Sequence, residues 1–208
     1  MKTLDEISVG RRGTPLLLIL SRVAFAALIT FAIVTLFSPE IFPYSTLDAV
    51  WLAYLFALYV VAEYVYRMLL NKGVDLTFAF PLMFAVFLLN LASVWLDGQT
   101  RFPLMNRAEH LTSYVLITYV VWIFFIQYLP QNVWRKHPYY TALLVFAVST
   151  GLGSLNEIFE LAMDTIAGTH VVGDKFDTSL DLLMNSLGAG LFLAVRLILG
   201  AAEPTLKR

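Results

Sequence analysis

The stretch LTSYVLITYVVWIFFIQYL, residues 111–129, contains no Asp, Glu, Lys, Arg or His. An α-helix rises about 1.5 Å per residue, so a helix of this length crosses the ~30 Å hydrocarbon layer of a bilayer. The stretch shows no strict alternation of polar and apolar residues, as a barrel strand would, and a backbone in lipid must satisfy its own hydrogen bonds. It therefore predicts a transmembrane helix in an all-α fold.

Similar apolar segments lie on both sides of this stretch. Together they predict about six transmembrane helices: Leu16 to Phe37, Leu47 to Leu70, Leu76 to Leu96, Leu111 to Leu129, Tyr139 to Ala162 and Ser179 to Leu199. Without an internal repeat or a shift in composition, residues 1–208 are expected to form a single transmembrane domain. Its helices 1–3 fall in residues 1–105. The first segment is expected to be a retained anchor rather than a signal peptide, because Arg22 interrupts its apolar run.

The composition of the whole chain indicates a lipid environment. Of 208 residues, 59% are hydrophobic and only 14% are charged, whereas soluble domains carry about 25% charged residues. The formal net charge is −1 and there is no long basic run, so nucleic acid is not an expected partner. The chain has no cysteine, which excludes disulfides, thiolate metal sites and a cysteine nucleophile. Membrane lipids are the expected partners, and the oligomeric state stays open.

The basic residues predict the orientation. If both termini are cytoplasmic and six helices alternate, all but three of the 14 Lys and Arg residues lie at or near the cytoplasmic side. The three exceptions are Arg101, Arg107 and Lys175. Ten of the 15 acidic residues then fall in the outer half, which gives this half a large excess of negative charge. The sequence therefore predicts a multi-pass protein of a prokaryotic cytoplasmic membrane, with an acidic outer side.

Polar residues recur at helical spacing near the predicted outer ends of the last three helices. Glu157 and Glu160 share one face of helix 5, and Asp181 and Asn185 share one face of helix 6. His110 enters helix 4 from the same side. Because an ionisable group within a membrane is costly unless it is paired or hydrated, these residues predict a common polar cavity. The structural alternative is that they pair between helices or cap helix ends, as Asp177 or Thr178 would at helix 6.

Three stretches that carry these residues resemble the VanZ-like membrane protein family. NRAEHLTSYVLITYVVW, residues 106–122, is similar to the family's Asp-Lys-x-x-His helix. LNEIFELAMD, residues 155–164, resembles its Asp-Glu-x-x-Gln helix, and FDTSLDLLMNSLGAG, residues 176–190, resembles its Asp-x-x-x-Asn-x-x-Gly-Ala signature. YjdF-like membrane proteins have a comparable layout of His, Glu and Asp. The resemblance covers residues 106–195, which hold helices 4–6, and does not reach the first three helices.

The resemblance implies a connection with the cell envelope and with tolerance to glycopeptide antibiotics. It also implies a polar set at matching positions: His110, Glu157, Asp181 and Asn185. The chain departs from the family pattern at four further positions, where the family has an acid, a Lys, an Asp and a Gln. These are Asn106, Arg107, Asn156 and Glu160. The departures indicate a different ligand, or a different distribution of protons in the site.

Two classes of function stay open at this point. In the first, an integral membrane enzyme acts on an envelope lipid or glycolipid head group, with Glu157 or Glu160 as base, His110 as acid or orienting group, and Asp181 with Asn185 as positioning groups. In the second, the protein binds or transports a cation or small ligand without chemistry, or serves as a membrane scaffold. Whether a cofactor is bound also stays open.

A divalent cation is the cofactor that this mixture of oxygen and imidazole groups suits. Its candidate ligands are Glu157, Glu160, Asp181 and His110. Two further patterns have structural interpretations. Arg22, Glu63 and Arg67 are predicted to form ion pairs or to snorkel. The small residues Gly151, Gly153, Ser186, Gly188 and Gly190 are predicted to pack helix 5 against helix 6.

Overall fold

The structure, a computed structural model, describes residues 15–38, 49–95, 104–130, 133, 136–168 and 173–202. Six long helices lie in this part of the chain: α1 (Pro15–Phe37), α2 (Ala49–Leu70), α3 (Ala79–Trp95), α4 (Met105–Tyr128), α5 (Pro138–Ala167) and α6 (Lys175–Ala202). Each predicted segment corresponds to one of them, which confirms the all-α prediction. Arg101, used for the predicted orientation, lies outside the described residues.

Three of the described helices are long and apolar enough to cross a membrane. Their apolar spans are Met105–Tyr128, Pro138–Ile166 and Lys175–Leu199. Two shorter apolar helical stretches, Leu16–Phe31 and Ala79–Leu89, lie in α1 and α3. Large apolar side chains also face outwards in α5 and α6, where Leu143, Ile158 and Ile198 are exposed. An apolar exterior of this kind is typical of helices in lipid. The count of six spans and the cytoplasmic termini remain predictions.

The chain divides into two compact units, Met1–Trp95 and Leu96–Arg208, here called the N-terminal unit and the C-terminal unit. In the N-terminal unit α1 packs against α2 and α3. Phe25, Leu28, Leu55 and Phe87 form its buried core. The Phe25 ring meets the Phe87 ring edge to face at a centroid distance of 5.6 Å, an arrangement that aromatic pairs prefer. Whether the whole chain is a single transmembrane domain stays a prediction.

In the C-terminal unit α4, α5 and α6 pack against one another. The apolar core lies between the second half of α4, the first half of α5 and the second half of α6. It consists of Val121, Trp122, Ala142, Val145 and Leu193. Because α5 runs opposite to α4 and α6, the first turns of α4 and α6 and the last turns of α5 lie at the other end of the unit. That end carries the polar residues.

Local signals set the ends of α5 and the start of α6. Pro138 occupies the first turn of α5, where its missing N–H costs nothing. Gly168 ends this helix in the left-handed region, with φ of 68°, and its N–H donates to the Asp164 carbonyl. Asp174 caps α6, because its Oδ1 accepts from the backbone N–H groups of Phe176 and Asp177. The capping prediction for Asp177 or Thr178 is therefore wrong by one helical turn.

Two glycines allow the helices to approach closely. A Cβ on Gly188 would collide with the Leu111 carbonyl oxygen and lie 3.1 Å from the Tyr114 Cβ, so Gly188 packs α6 against α4. A Cβ on Gly153 would lie 3.0 Å from the Asn185 Nδ2, so this glycine packs α5 against α6. The prediction that all the small residues join α5 to α6 is thus wrong for Gly188, while nothing lies within 4 Å of a Cβ on Gly151.

Candidate functional site

The polar residues of the C-terminal unit meet at one end, where each of the three helices contributes a side chain. His110 on α4, Glu157 on α5 and Asp181 on α6 each offer one ligating atom, and these three atoms lie within 4.8 Å of one another. Glu157 and Asp181 are buried, and His110 is partly buried. Three ionisable groups on separate helices therefore converge on one small volume, here called the triad site.

Asp181 is held in place from the first turn of α4. Arg107 donates from Nη1 to the Asp181 Oδ1 and from Nη2 to the Asp177 Oδ1. The amide of Asn106 donates to the same Asp181 oxygen at 3.2 Å. A guanidinium group that joins two carboxylates gives strong, directional hydrogen bonds. The position of Asp181 is therefore fixed, and the charge of Arg107 is shared between two aspartates.

The orientation of the His110 ring is set by Asn185. The ring Nδ1 lies 3.0 Å from the Asn185 Oδ1. With the Asn185 amide in this orientation its oxygen is the acceptor, so this bond forms in the tautomer whose Nδ1 carries the hydrogen. The other ring nitrogen, Nε2, faces the Asp181 Oδ1 at 3.5 Å. In the neutral ring this Nε2 presents its lone pair to the triad site.

Glu157 differs from every other member of the site. Glu157 is only 5% exposed, and neither of its carboxylate oxygens has a hydrogen-bond partner in the described part of the chain. The Asn185 Nδ2, on a residue 1% exposed, is likewise unpartnered there. Buried polar groups are normally hydrogen-bonded, and an unpaired buried carboxylate is costly. These unpartnered atoms make the triad site the candidate ligand-binding site of the C-terminal unit.

Glu160 lies one helical turn from Glu157 and does not belong to the triad site. Its Oε1 accepts a hydrogen bond of 2.7 Å from the Asn156 amide, and its side chain is less buried than that of Glu157. Of the five predicted site residues, the structure brings His110, Glu157, Asp181 and Asn185 together and places Glu160 beside them. The roles predicted for all five stay predictions.

A family model described as "predicted membrane protein (DUF2238)" matches residues 17–201. The chain belongs to this family. The match includes the first three helices, which the VanZ-like resemblance does not reach. Membership shows a membrane protein and no specific activity. No curated protein and no solved structure shows a significant match to the chain.

Two further polar side chains of this DUF2238 protein lie deeper in the C-terminal unit. Thr118 on α4 and Ser149 on α5 are fully buried, and their hydroxyl oxygens have no partner among the described residues. Each is eight residues from a triad residue on its own helix, a rise of about 12 Å. Beyond them stands the apolar core around Val145 and Trp122. Polar character thus fades along the helix axis and gives way to apolar packing.

Sequence reasoning did not assign a site role to Arg107 or Asn106. Asn106 differs from the family pattern, and Arg107 differs from it and is also one of the three basic residues of the predicted outer side, yet both hold Asp181. A usable signal was present, because Arg107 lies three residues before His110 and therefore on the same helix face. An arginine at the start of an apolar helix that faces an excess of acids is expected to pair with them.

Proposed function

We propose that this DUF2238 protein is a membrane enzyme that acts by acid–base chemistry on the polar head group of an envelope lipid or glycolipid. The observation that carries the proposal is the buried Glu157 carboxylate, whose two oxygens have no partner in the described part of the chain and which shares the triad site with His110 and Asp181. A carboxylate without hydrogen bonds beside an imidazole is suited to accept a proton from a ligand or to bind a positively charged group of it.

The contacts of each residue support a proposed role. Asp181, fixed by Arg107, and Asn185, which orients the ring of His110, are positioning residues. His110 presents its Nε2 to the site and serves as the acid or orienting group. The base is one of two carboxylates on α5, Glu157 or Glu160.

The placement in the membrane follows from the charges. We propose six spans with both termini in the cytoplasm, in a prokaryotic cytoplasmic membrane, so that the triad site opens at the outer face. The distribution of Lys and Arg supports this orientation. The resemblance of residues 106–195 to VanZ-like and YjdF-like proteins supports a substrate in the cell envelope. The head group of a lipid in the outer leaflet could enter such a site directly from the bilayer, without passing through the helix bundle.

The apolar core argues against a transport path through the C-terminal unit. A conducting path needs polar groups or a cavity along its length. Val121, Val145 and Leu193 are buried at the opposite end from the triad site and pack together. A site that ends in apolar packing is suited to bind and release a ligand on one side.

The test compares lipids in cells that produce the wild-type protein with lipids in cells that carry an empty vector. Mass spectrometry of extracted membranes is expected to show one lipid class depleted or modified by the wild type. His110→Ala is expected to abolish this change, and Glu157→Gln and Glu160→Gln together identify the base. Ser154→Ala is the matched control, because Ser154 is exposed on α5 and its hydroxyl donates to the Thr150 carbonyl of its own helix.

Equal amounts of each variant in the membrane fraction are required for the comparison. A lipid profile that the wild-type protein leaves identical to that of the vector would overturn the enzymatic proposal. In that case the bare carboxylate would serve binding without turnover.

A further inference from the structure

We propose that the triad site holds a divalent cation, Mn²⁺ or Mg²⁺, with the His110 Nε2, the Glu157 carboxylate and the Asp181 carboxylate as its protein ligands. All three ligating atoms come from different helices and lie within 4.8 Å of one another. Ligands of such ions stand about 2.0–2.2 Å from the metal, so any two of them are at most ~4.4 Å apart. Only one pair of the three can lie opposite each other across the ion, and adjacent ligands stand about 3 Å apart, so the side chains must rotate towards one another when the ion binds.

The bare oxygens of Glu157 give independent support. Among the described residues neither oxygen accepts a hydrogen bond, although the residue is only 5% exposed, and the nearby Asn156 amide donates to Glu160 instead. A cation supplies the positive charge and the coordination that such a carboxylate lacks. Arg107 does not do so, because it donates to Asp177 and Asp181 instead. The one uncompensated buried carboxylate of the site is thus the one that faces the position of the ion.

The hydrogen bond of His110 has the form found behind metal-bound imidazoles. A ligating histidine usually donates its other ring N–H to an oxygen acceptor, which fixes the ring and directs the lone pair at the metal. Here the Nδ1 donates to the Asn185 Oδ1 at 3.0 Å, and the Nε2 faces the site. Asp181 is held by Arg107 and Asn106, which both donate to its Oδ1. Two of the three ligands are therefore already oriented by neighbouring residues.

The donor set favours Mn²⁺ and Mg²⁺ among the divalent ions. Two carboxylates and one imidazole are harder ligands than the thiolates that select zinc in structural sites, and the chain has no cysteine. Ions of this kind keep open positions that substrate oxygens fill, phosphate oxygens above all. Three protein ligands leave such positions free.

A bound ion also defines the substrate class and the base. This part rests on the proposed function. Without a cation the carboxylates of Glu157, Glu160, Asp177 and Asp181 would repel an anionic head group, since among the described residues Arg107 pairs with only two of them, Asp177 and Asp181. With an ion bound, a phosphate-bearing lipid head group becomes the fitting ligand. Glu157 and His110 are then both metal ligands, which leaves Glu160 as the base and gives His110 the orienting role rather than that of the acid.

The test uses the full chain, purified in detergent micelles and stripped with EDTA, and titrates it with Mn²⁺ alone. Electron paramagnetic resonance measures the concentration of free Mn²⁺, and the bound Mn²⁺ is the difference from the total added. About one Mn²⁺ per chain is expected. Glu157→Gln, which keeps the shape of the side chain, and His110→Ala are each expected to weaken binding by more than ~100-fold, because second-shell changes alone cost 10–100-fold. Asn185→Ala, which frees the His110 ring, is expected to weaken it by about 10–100-fold.

Glu160→Gln tests metal binding and the reaction separately. It is expected to bind Mn²⁺ within about threefold of the wild type while the change in the lipid profile is lost, and Ser154→Ala is expected to retain both. Size-exclusion profiles and circular dichroism show that each variant is folded.

The metal proposal is overturned if the folded wild type binds no Mn²⁺, or if Glu157→Gln binds it as tightly as the wild type. An equal loss in Glu160→Gln would overturn the three-ligand assignment. A protein that binds Mn²⁺ through the triad but changes no lipid retains the metal site and refutes the proposed enzyme.

Discussion

Glu63 of the N-terminal unit and Glu157 of the C-terminal unit are two carboxylates within apolar helices, and they differ in their hydrogen bonds. The Glu63 Oε1 accepts from the Arg22 Nη2 at 2.5 Å and from the Arg67 Nε at 3.0 Å, and its Oε2 accepts from the Arg22 Nε at 3.2 Å. Glu157 is more deeply buried, and neither of its oxygens has a hydrogen-bond partner in the described part of the chain. One carboxylate is fully satisfied by its own chain, and the other is not.

The surroundings of Arg22 extend this contrast. Its guanidinium carbon lies 5.9 Å from the centre of the Tyr66 ring and 5.8 Å from that of Phe80. The charge of Arg22 is thus stabilised by Glu63 on one neighbouring helix and by aromatic faces. A polar cluster whose charges all find partners joins helices, which is a structural role. A cluster that leaves a buried carboxylate bare bears a cost that its own contacts do not offset, which makes it a candidate for ligand binding.

The largest expected effect on stability distinguishes the two glutamates. Glu63→Ala leaves Arg22 without its partner and is expected to lower the free energy of unfolding by about 2–3 kcal/mol, below the range for a fully buried pair because Arg22 is partly exposed. Glu157→Gln removes an uncompensated buried charge and is expected to leave stability unchanged or to raise it. Thermal unfolding in detergent, measured after EDTA treatment, checks both variants.

The effects on Mn²⁺ binding are expected to be the reverse of the effects on stability. At temperatures where both variants are folded, Glu63→Ala is expected to bind Mn²⁺ and Glu157→Gln is expected not to bind it. If both substitutions destabilise the protein equally, the two glutamates do not differ in kind, and the contrast between the units fails.

The sequence alone predicted the helices because hydropathy responds to long apolar runs, and each predicted run corresponds to a described helix. The predicted ends were less accurate. Helix α4 begins at Met105 rather than Leu111, and α6 begins at Lys175 rather than Ser179. Polar residues such as Arg107 and Asp177 lie in these first turns, and a search for apolar residues stops short of them. The extended ends are where the site lies.

Helical spacing also predicted that His110, Glu157 and Asp181 face a common volume. Glu157 and Asp181 each share a helix face with a second polar residue, and His110 enters its helix from the same side. It did not predict that Arg107 joins Asp177 and Asp181, or that Gly188 contacts α4. Contacts between helices depend on how each helix is rotated about its axis and how closely the backbones approach. A single sequence carries little of that information, because the alternatives bury similar apolar areas.

A smaller effect is expected where the C-terminal unit brings α4 against α6. Gly188→Ala places a methyl group against the backbone of Leu111, which cannot move away as a flexible side chain would. Overpacking of this kind costs about 1–2 kcal/mol and displaces α4, so Mn²⁺ binding is expected to fall as well. Gly151→Ala is the matched control, because nothing lies within 4 Å of the added Cβ and alanine favours a helix by up to ~1 kcal/mol.

Together the two glycine variants sharpen the contrast with Glu157→Gln, which is expected to lose the ion without losing stability. Thermal unfolding and Mn²⁺ titration of the same samples provide both measurements. A Gly188→Ala protein with normal stability and normal binding would show that α4 and α6 do not approach closely at this position.

The smallest effect is expected at Arg67, and it tests whether Glu63 is satisfied mainly from its own helix or across helices. Arg67 contacts Glu63 at spacing i,i+4 on α2 and its side chain is 73% exposed. Exposed pairs of this kind contribute about 0.3–0.5 kcal/mol. Arg67→Ala is therefore expected to lower the unfolding midpoint only slightly, whereas Arg22→Ala removes the ion pair between α1 and α2 and the contacts with Tyr66 and Phe80. A loss in Arg67→Ala as large as in Arg22→Ala would mean that the pair within one helix holds Glu63, and that the N-terminal unit does not depend on its ion pair between helices.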